Sequence, residues 1–409
     1  MRRPFALLCA GIYPTMRCNK EGRTDIVTPN RWIILAVLFV TRLTMAFQFQ
    51  SAAALSPLLT AQFGVGLADI GFLIGLYFAP GIVFALPGGA VAGRFGDKRI
   101  VVVGLILMIA GGSVMAATQS WPVMSSARFV AGMGGVILNV VMTKMVVDWF
   151  VDRELSTAMA VFINSWPVGI ALALLVLPVA AQAGGIAFAW WGISAFTALA
   201  LITFTVVYRP PEGSAALVTS IERAPLPVAA LTLASLVWAL YNAALAMVFS
   251  FGPAFLTGVG YSLTEAGSLT SLFMILFSIA LPIGGIIADR TGRKDAIILV
   301  SLLSFAILMP VAVVLPAGAF VLFCVLGVLF SLGAGPVMTL PAEVLSPKSR
   351  SFGMGVFFSI YYALMMIAPR VGGGVADVYA NAGAAIVAGA VMSLVAAVSL
   401  VGFRWVAHR

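Results

Sequence analysis

Residues 283–295 read Ile-Gly-Gly-Ile-Ile-Ala-Asp-Arg-Thr-Gly-Arg-Lys-Asp, and residues 87–99 read Pro-Gly-Gly-Ala-Val-Ala-Gly-Arg-Phe-Gly-Asp-Lys-Arg. Set one under the other, Gly89 meets Gly285, Arg94 meets Arg290, Gly96 meets Gly292 and Lys98 meets Lys294. The offset is roughly half the chain, so the sequence carries an internal repeat of about six helices per unit. Each copy closes a long apolar run with glycine and a basic turn. Glycines at 89 and 285 suit close approach by a second helix. Asp289 can bond the backbone at its helix end or pair with a base, while Arg290, Arg293 and Lys294 hold the turn.

Outward from the repeat the chain is almost all apolar. Of 409 residues 62% are hydrophobic and 9% charged, against about 25% charged in a soluble domain. Runs of this length cross a hydrocarbon core of about 30 Å as helices; a strand barrel needs short alternating segments instead. The expected helices are 32–56, 68–92, 99–119, 122–146, 155–180, 184–207, 228–256, 263–288, 296–315, 317–342, 351–375 and 380–403. The fold class is therefore an all-α membrane protein of twelve transmembrane helices in two six-helix bundles. The expected domains are a cytoplasmic tail 1–30, a bundle 31–208, a linker 209–227 rich in proline, a bundle 228–404 and a short tail 405–409.

The formal charge of +9 resembles a nucleic-acid signal, but topology explains it. All but four of the 23 Lys and Arg residues fall before the first helix, in the even-numbered loops or at the end. This positive-inside pattern puts both termini in the cytoplasm of a bacterial-type inner membrane. Three cysteines, scattered at 9, 18 and 324, form no disulfide framework. Trp32, Trp121 and Trp190 suit the aromatic belts of a membrane interface.

The stretch from Gly285 to Lys294 is similar to the signature loop of the major facilitator superfamily. The first copy departs from that pattern at Gly93 and Asp97, so the amino-terminal half is expected to use a different latch through Asp97. Arg128-Phe-Val-Ala-Gly132-Met-Gly134 resembles the family's arginine–glycine motif. Asn164 to Gly169 resembles the antiporter glycine–proline motif only loosely, because Trp166 stands where that motif has glycine. Within the superfamily, Gln48 to Ser51, Asn139 to Phe150 and Asn164 to Gly169 most resemble bacterial permeases of the cyanate and nitrate/nitrite type. The resemblance implies alternating access by rocking of two bundles around a central cavity, with monomeric function.

Ionisable groups inside the hydrocarbon are costly and mark function. Arg42, eleven residues into the first helix, is about 16 Å along its axis, too deep to snorkel easily. Its helix offers no carboxylate, so its donor fork invites an anion; the structural alternative is a bond to carbonyls or to another helix. Neutral polar and aromatic candidates for the substrate cavity are Gln48, Asn139, Asn164, Trp166, Trp238, Tyr241, Asn242 and Tyr361, with Tyr362 beside it, and Arg370 is a second anion contact or an outer-gate charge. Coupling and gating are expected from Gly89, Arg94, Asp97, Arg128, Lys144, Asp148, Gly285, Asp289, Arg290, Arg293 and Glu343. Lys144 and Asp148 are spaced as an i,i+4 pair.

These residues imply transport, not catalysis, of a small anionic solute through a site using Arg42. Other partners are membrane lipid and either protons or a counter-transported anion; no nucleic acid, cofactor or metal is expected, since no His, Cys and acid cluster exists. Two readings stand beside it: proton-coupled efflux of drugs or of hydrophobic or cationic compounds, and a sensor on a transporter scaffold. An intramembrane acid would favour efflux, and an added soluble output domain would favour the sensor.

Overall fold

A computed structural model of the chain describes residues 16–18, 24–26, 30–84, 96–150, 154–211, 226–315, 318–346 and 349–407. A short antiparallel pair, β1 (Met16–Cys18) with β2 (Thr24–Ile26), precedes the first helix. All other regular structure is helical: α1 (Arg31–Ala54), α2 (Ser56–Phe63), α3 (Leu67–Leu76), α4 (Ala79–Phe84), α5 (Asp97–Ala117), α6 (Trp121–Phe150), α7 (Leu155–Val207), α8 (Val228–Gly258), α9 (Leu263–Thr291), α10 (Lys294–Val314), α11 (Ala319–Ser331), α12 (Ala334–Val344), α13 (Arg350–Val378) and α14 (Gly383–Ala407). Among the described residues, 11 segments are long and apolar enough to cross a membrane.

One of these segments is two crossings. Helix α7 has 53 residues, about 80 Å of straight helix, far beyond one bilayer. Gly185 breaks it with φ 81 and ψ 176, a conformation open to glycine. Separate helices at 155–180 and 184–207 were the expectation; the chain instead turns at one residue. The tenth crossing is interrupted at Leu332–Gly333, between α11 and α12. Pro336 has no N–H for the Leu332 carbonyl four residues earlier. Gly284 of α9 packs against that carbonyl, where any β-carbon would collide.

Local signals explain several helix starts. Asn30 caps α1 by accepting the Trp32 N–H at 3.0 Å. Ser262 and Glu265 form a reciprocal capping box at α9. The outer faces keep large apolar side chains exposed, among them Val179, Leu199, Ile279, Ile307 and Val398. Such a surface is stable against lipid and not against water. Trp190, expected at an interface, is instead fully buried.

Besides the bond from Gln50 Nε2 of α1 to the Phe249 carbonyl of α8 at 2.6 Å, the two bundles meet along two seams. In one, α3 lies against α13: Gly71 packs on Pro369, Gly75 on Met366 and Gly373 on Leu67, each at a backbone carbonyl. In the other, α7 lies against α9: Gly267 packs on the Leu174 carbonyl, and Ser271 Oγ donates to the Ala171 carbonyl at 2.9 Å. Both seams run in the half of the molecule remote from the start of α1 and the end of α14. In the half nearer those ends, the ion pairs among the described residues each stay inside one bundle: Arg31 with Glu154, Lys144 with Asp97 and Asp148, Arg404 with Asp295 and Glu343.

Candidate functional site

Arg42 sits on α1 midway along its crossing and is half-buried. Its Nε donates to Asn139 Oδ1 at 3.1 Å, and Nη1 donates to the carbonyls of Phe162 and Ile163 at 3.0 Å each and to Ser165 Oγ at 3.3 Å. Pro167 explains why α7 has a carbonyl to offer. It lacks the N–H that would bond Ile163 four residues back. Among the described residues, no hydrogen bond occupies Nη2. The guanidinium also lies 4.8 Å above the Phe162 ring, a favourable cation–π distance. Arg42 thus both clasps α7 through carbonyls and keeps a donor edge unused; both readings drawn from the sequence have a place in the geometry.

Asn139 continues the chain of contacts across the bundle boundary. Its Nδ2 donates to Tyr362 Oη at 3.1 Å. Ser278 Oγ of α9 donates to Asn164 Oδ1 of α7 at 2.6 Å, a second polar bridge at this depth. Around them runs an aromatic layer drawn from both bundles. Phe49 stacks on Trp166 at 5.2 Å; Phe78 meets Trp166 at 6.2 Å, Tyr361 at 6.2 Å and Tyr362 at 5.9 Å; Tyr361 meets Trp238 at 6.2 Å. Trp166, Trp238 and Tyr361 are half-buried. The structure therefore gathers Arg42, Asn139, Asn164, Trp166, Trp238 and Tyr361 in one mid-depth layer.

The remaining candidates stand elsewhere. Gln48 is fully buried and donates to the Met108 carbonyl at 2.8 Å, tying α1 to α5. Tyr241 donates to the Phe330 carbonyl at 2.6 Å inside the second bundle. Asn242 donates to Trp238 O of its own helix at 2.8 Å. Arg370 is exposed in the far half, 5.0 Å over the Phe72 ring of α3.

Arg128 differs from Arg42 in burial and in having every nitrogen engaged. It is fully buried, and its three nitrogens donate to Leu73 O at 3.2 Å, Gln48 O at 2.8 Å and Phe49 O at 2.5 Å. The Leu73 carbonyl is available because the Tyr77 N–H turns to Ile74 O. Arg128 stitches α6 to α1 and α3 and leaves no nitrogen without a partner.

Lys144 bonds Asp97 at 2.6 Å and Asp148 at 2.9 Å, so the i,i+4 contact is present and Asp97 joins it from α5. Glu343 pairs with Arg404, which also reaches Asp295 at 2.6 Å; Lys294 is 3.8 Å from Glu343. Asp289, Arg290 and Arg293 are exposed at the end of α9, with no ion pair among the described residues. Gly285 has open space where a β-carbon would stand; the close helix approach expected there falls on Gly284. Gly89 and Arg94 lie outside the described residues. The sequence reading did not single out Phe49, Phe78 or Ser278 for the site, nor Arg404 and Asp295 for the ion network. Only their spacing on helices known to converge could have pointed to them.

The backbone matches transporters over nearly its whole length. A bacterial homologue of the human lysosomal transporter Spinster, in an inward-facing and occupied conformation, aligns with a TM-score of 0.73 at 16% identity, over 93% of this chain and 97% of that one. The nucleoside transporter NupG, as a single-site variant, aligns at 0.74 and 13% identity, over 91% and 100%. At these identities the likeness is one of fold. In sequence, a choline/ethanolamine transporter of Rattus norvegicus is 28% identical over 165 residues, 39% of this chain and 30% of that protein. An uncharacterized transporter of Buchnera aphidicola is 24% identical over 133 residues, 32% of this chain and 34% of that protein. The matched stretches span about a third of these curated relatives. The profile of the Major Facilitator Superfamily matches residues 37–264 and 229–409, and this chain, a multi-pass membrane protein by its long apolar helices, belongs to that superfamily.

Proposed function

We propose that the chain carries a small anionic solute, with Arg42 as its charge contact. The observation that supports this most is the half-buried guanidinium at mid-depth with Nη2 unused. Among the described residues, every Asp and Glu of the helical region lies within the first or last turn of a helix or just outside it, so no described carboxylate at that depth balances Arg42. An anion supplies the missing charge, and in a medium of low dielectric that attraction is strong.

The basic face is taken as cytoplasmic on the positive-inside pattern, in a bacterial-type inner membrane. The bundles are joined through the far half, so the conformer is closed outward and its opening is inward. Entry of the anion neutralises Arg42, and the bundles rock about the mid-depth layer. The clusters around Lys144 and Glu343 then re-pair across the inner face, with exchange for a second anion or co-movement of a proton completing the cycle. The chain functions as a monomer in this scheme.

One observation favours a second reading, transport of an ammonium compound. The aromatic layer could face such a cation, and one partial relative is named a choline/ethanolamine transporter. The Arg42 guanidinium beside that layer, with no described carboxylate to balance it, opposes it. A thermal-shift screen of wild type and Arg42→Ala separates the two, because a ligand stabilises the state it binds. Stabilisation of wild type alone by an anion supports the proposal; equal stabilisation of both proteins by choline would replace it.

A further inference from the structure

The anion reading leaves the kind of anion open, and the site's remaining donors narrow it. Four hydrogen bonds already engage Nε and Nη1 of Arg42, and Arg128 has every nitrogen engaged and is sealed from the layer. A small inorganic anion surrenders most of its water on entering such a site and needs several donors in exchange. One guanidinium edge does not provide them. What the layer offers in abundance is aromatic wall: Trp166 from the first bundle, Tyr361 and Trp238 from the second, all half-buried, with Phe78 6.2 Å from the rings of Trp166 and Tyr361 and Trp238 6.2 Å from Tyr361. Polar contact with water lost by one end of a solute is replaced by Arg42, and the rest of the solute gains by leaving water against rings.

We propose that the substrate is an organic monoanion with a flat or apolar body, its carboxylate or equivalent group on Nη2 of Arg42 and its body against Trp166, Tyr361 and Trp238. This rests on the anion reading and adds the body to it. Because Trp166 belongs to one bundle and Tyr361 and Trp238 to the other, such a solute touches both halves at once, whereas a bare inorganic ion on Arg42 touches one. The amphipathic solute therefore senses the relative position of the bundles, which is what a coupled carrier needs from its cargo.

Isothermal titration of the purified full chain with benzoate, benzamide, nitrate and choline tests this. Benzoate is expected to bind wild type at least about tenfold more tightly than nitrate and than neutral benzamide. Tyr361→Ala is expected to weaken benzoate about tenfold and leave nitrate unchanged, and Arg42→Gln to abolish the preference of benzoate over benzamide. Arg42→Met, uncharged and of similar length, serves if the glutamine variant fails to fold. Equal binding of nitrate and benzoate, both lost in Arg42→Gln and both indifferent to Tyr361→Ala, would overturn the organic-acid assignment and leave the anion reading standing. Choline or benzamide binding as tightly as benzoate, untouched by either Arg42 variant, would overturn both, as would binding of none of the four.

Discussion

Asp377 of α13 caps a helix of the other bundle: its two carboxylate oxygens accept the backbone N–H groups of Leu67 and Ala68, each at 2.8 Å. These are the first amides of α3, which have no partner inside their own helix. A carboxylate there meets both the unsatisfied donors and the positive end of the helix dipole. The contact closes the far rim of the seam whose interior is set by Gly71 and Gly75. It exists only while the bundles are together on that side, so it contributes to the closed conformer and to no other.

Asp377→Ala is therefore expected to shift the equilibrium toward opening of the far half. Losing a capping carboxylate costs about 1 kcal/mol, a roughly fivefold change in population. Labelling of a cysteine placed at Ala68 by a membrane-impermeant maleimide measures it. Faster labelling in the Asp377 variant is the expected result; an unchanged rate would show that the glycine seam alone holds the rim.

The two arginines inside the membrane are expected to separate cleanly. Arg128→Met removes the guanidinium from three buried carbonyls, of which Gln48 O keeps the Ser51 hydroxyl, and should destabilise the fold by about 3 kcal/mol, in the range for breaking a buried polar cluster. Arg42→Ala should unfold at nearly the wild-type temperature in the absence of solute, since Ser165 also bonds the Phe162 carbonyl at 2.6 Å and the site is half open. Thermal unfolding in detergent reads both. Equal losses would make Arg42 a structural clasp like Arg128.

Adjacent glycines in the signature loop give a third contrast. Gly284→Ala drives a methyl into the Leu332 carbonyl, whereas Gly285→Ala meets nothing within 4 Å. Overpacking costs about 1–3 kcal/mol, so the first variant should lose thermal stability and the second should match wild type within about 0.5 kcal/mol. The reverse order would contradict the packing of α9 on the break between α11 and α12.

Much of this was legible in the sequence, and the limits have physical causes. Apolar length and charge asymmetry gave twelve crossings in two bundles, because a bilayer leaves a chain few alternatives. The depth of Arg42 followed from counting residues along one helix. Which face each helix turns inward did not follow: lipid and protein interior are both apolar, so periodicity carries little signal. Gln48 and Tyr241 read as cavity residues, yet each donates to a carbonyl inside its own bundle. Phe49 and Phe78 read as ordinary apolar residues and stand in the aromatic layer. Arg404, near the chain end, meets Glu343 and Asp295 only because the second bundle brings three distant helices together. Gly185 shows the complementary case, where a single backbone conformation replaced a loop that composition alone suggested.

The central claim is that an anion is carried at Arg42. Uptake of labelled benzoate and labelled choline into proteoliposomes, by wild type and by Arg42→Gln reconstituted at equal density, tests it most directly. Saturable benzoate uptake by wild type is expected, with a fall of about tenfold or more in Arg42→Gln and no choline uptake above empty liposomes. Saturable choline uptake that survives Arg42→Gln, with benzoate uptake at background, would contradict it.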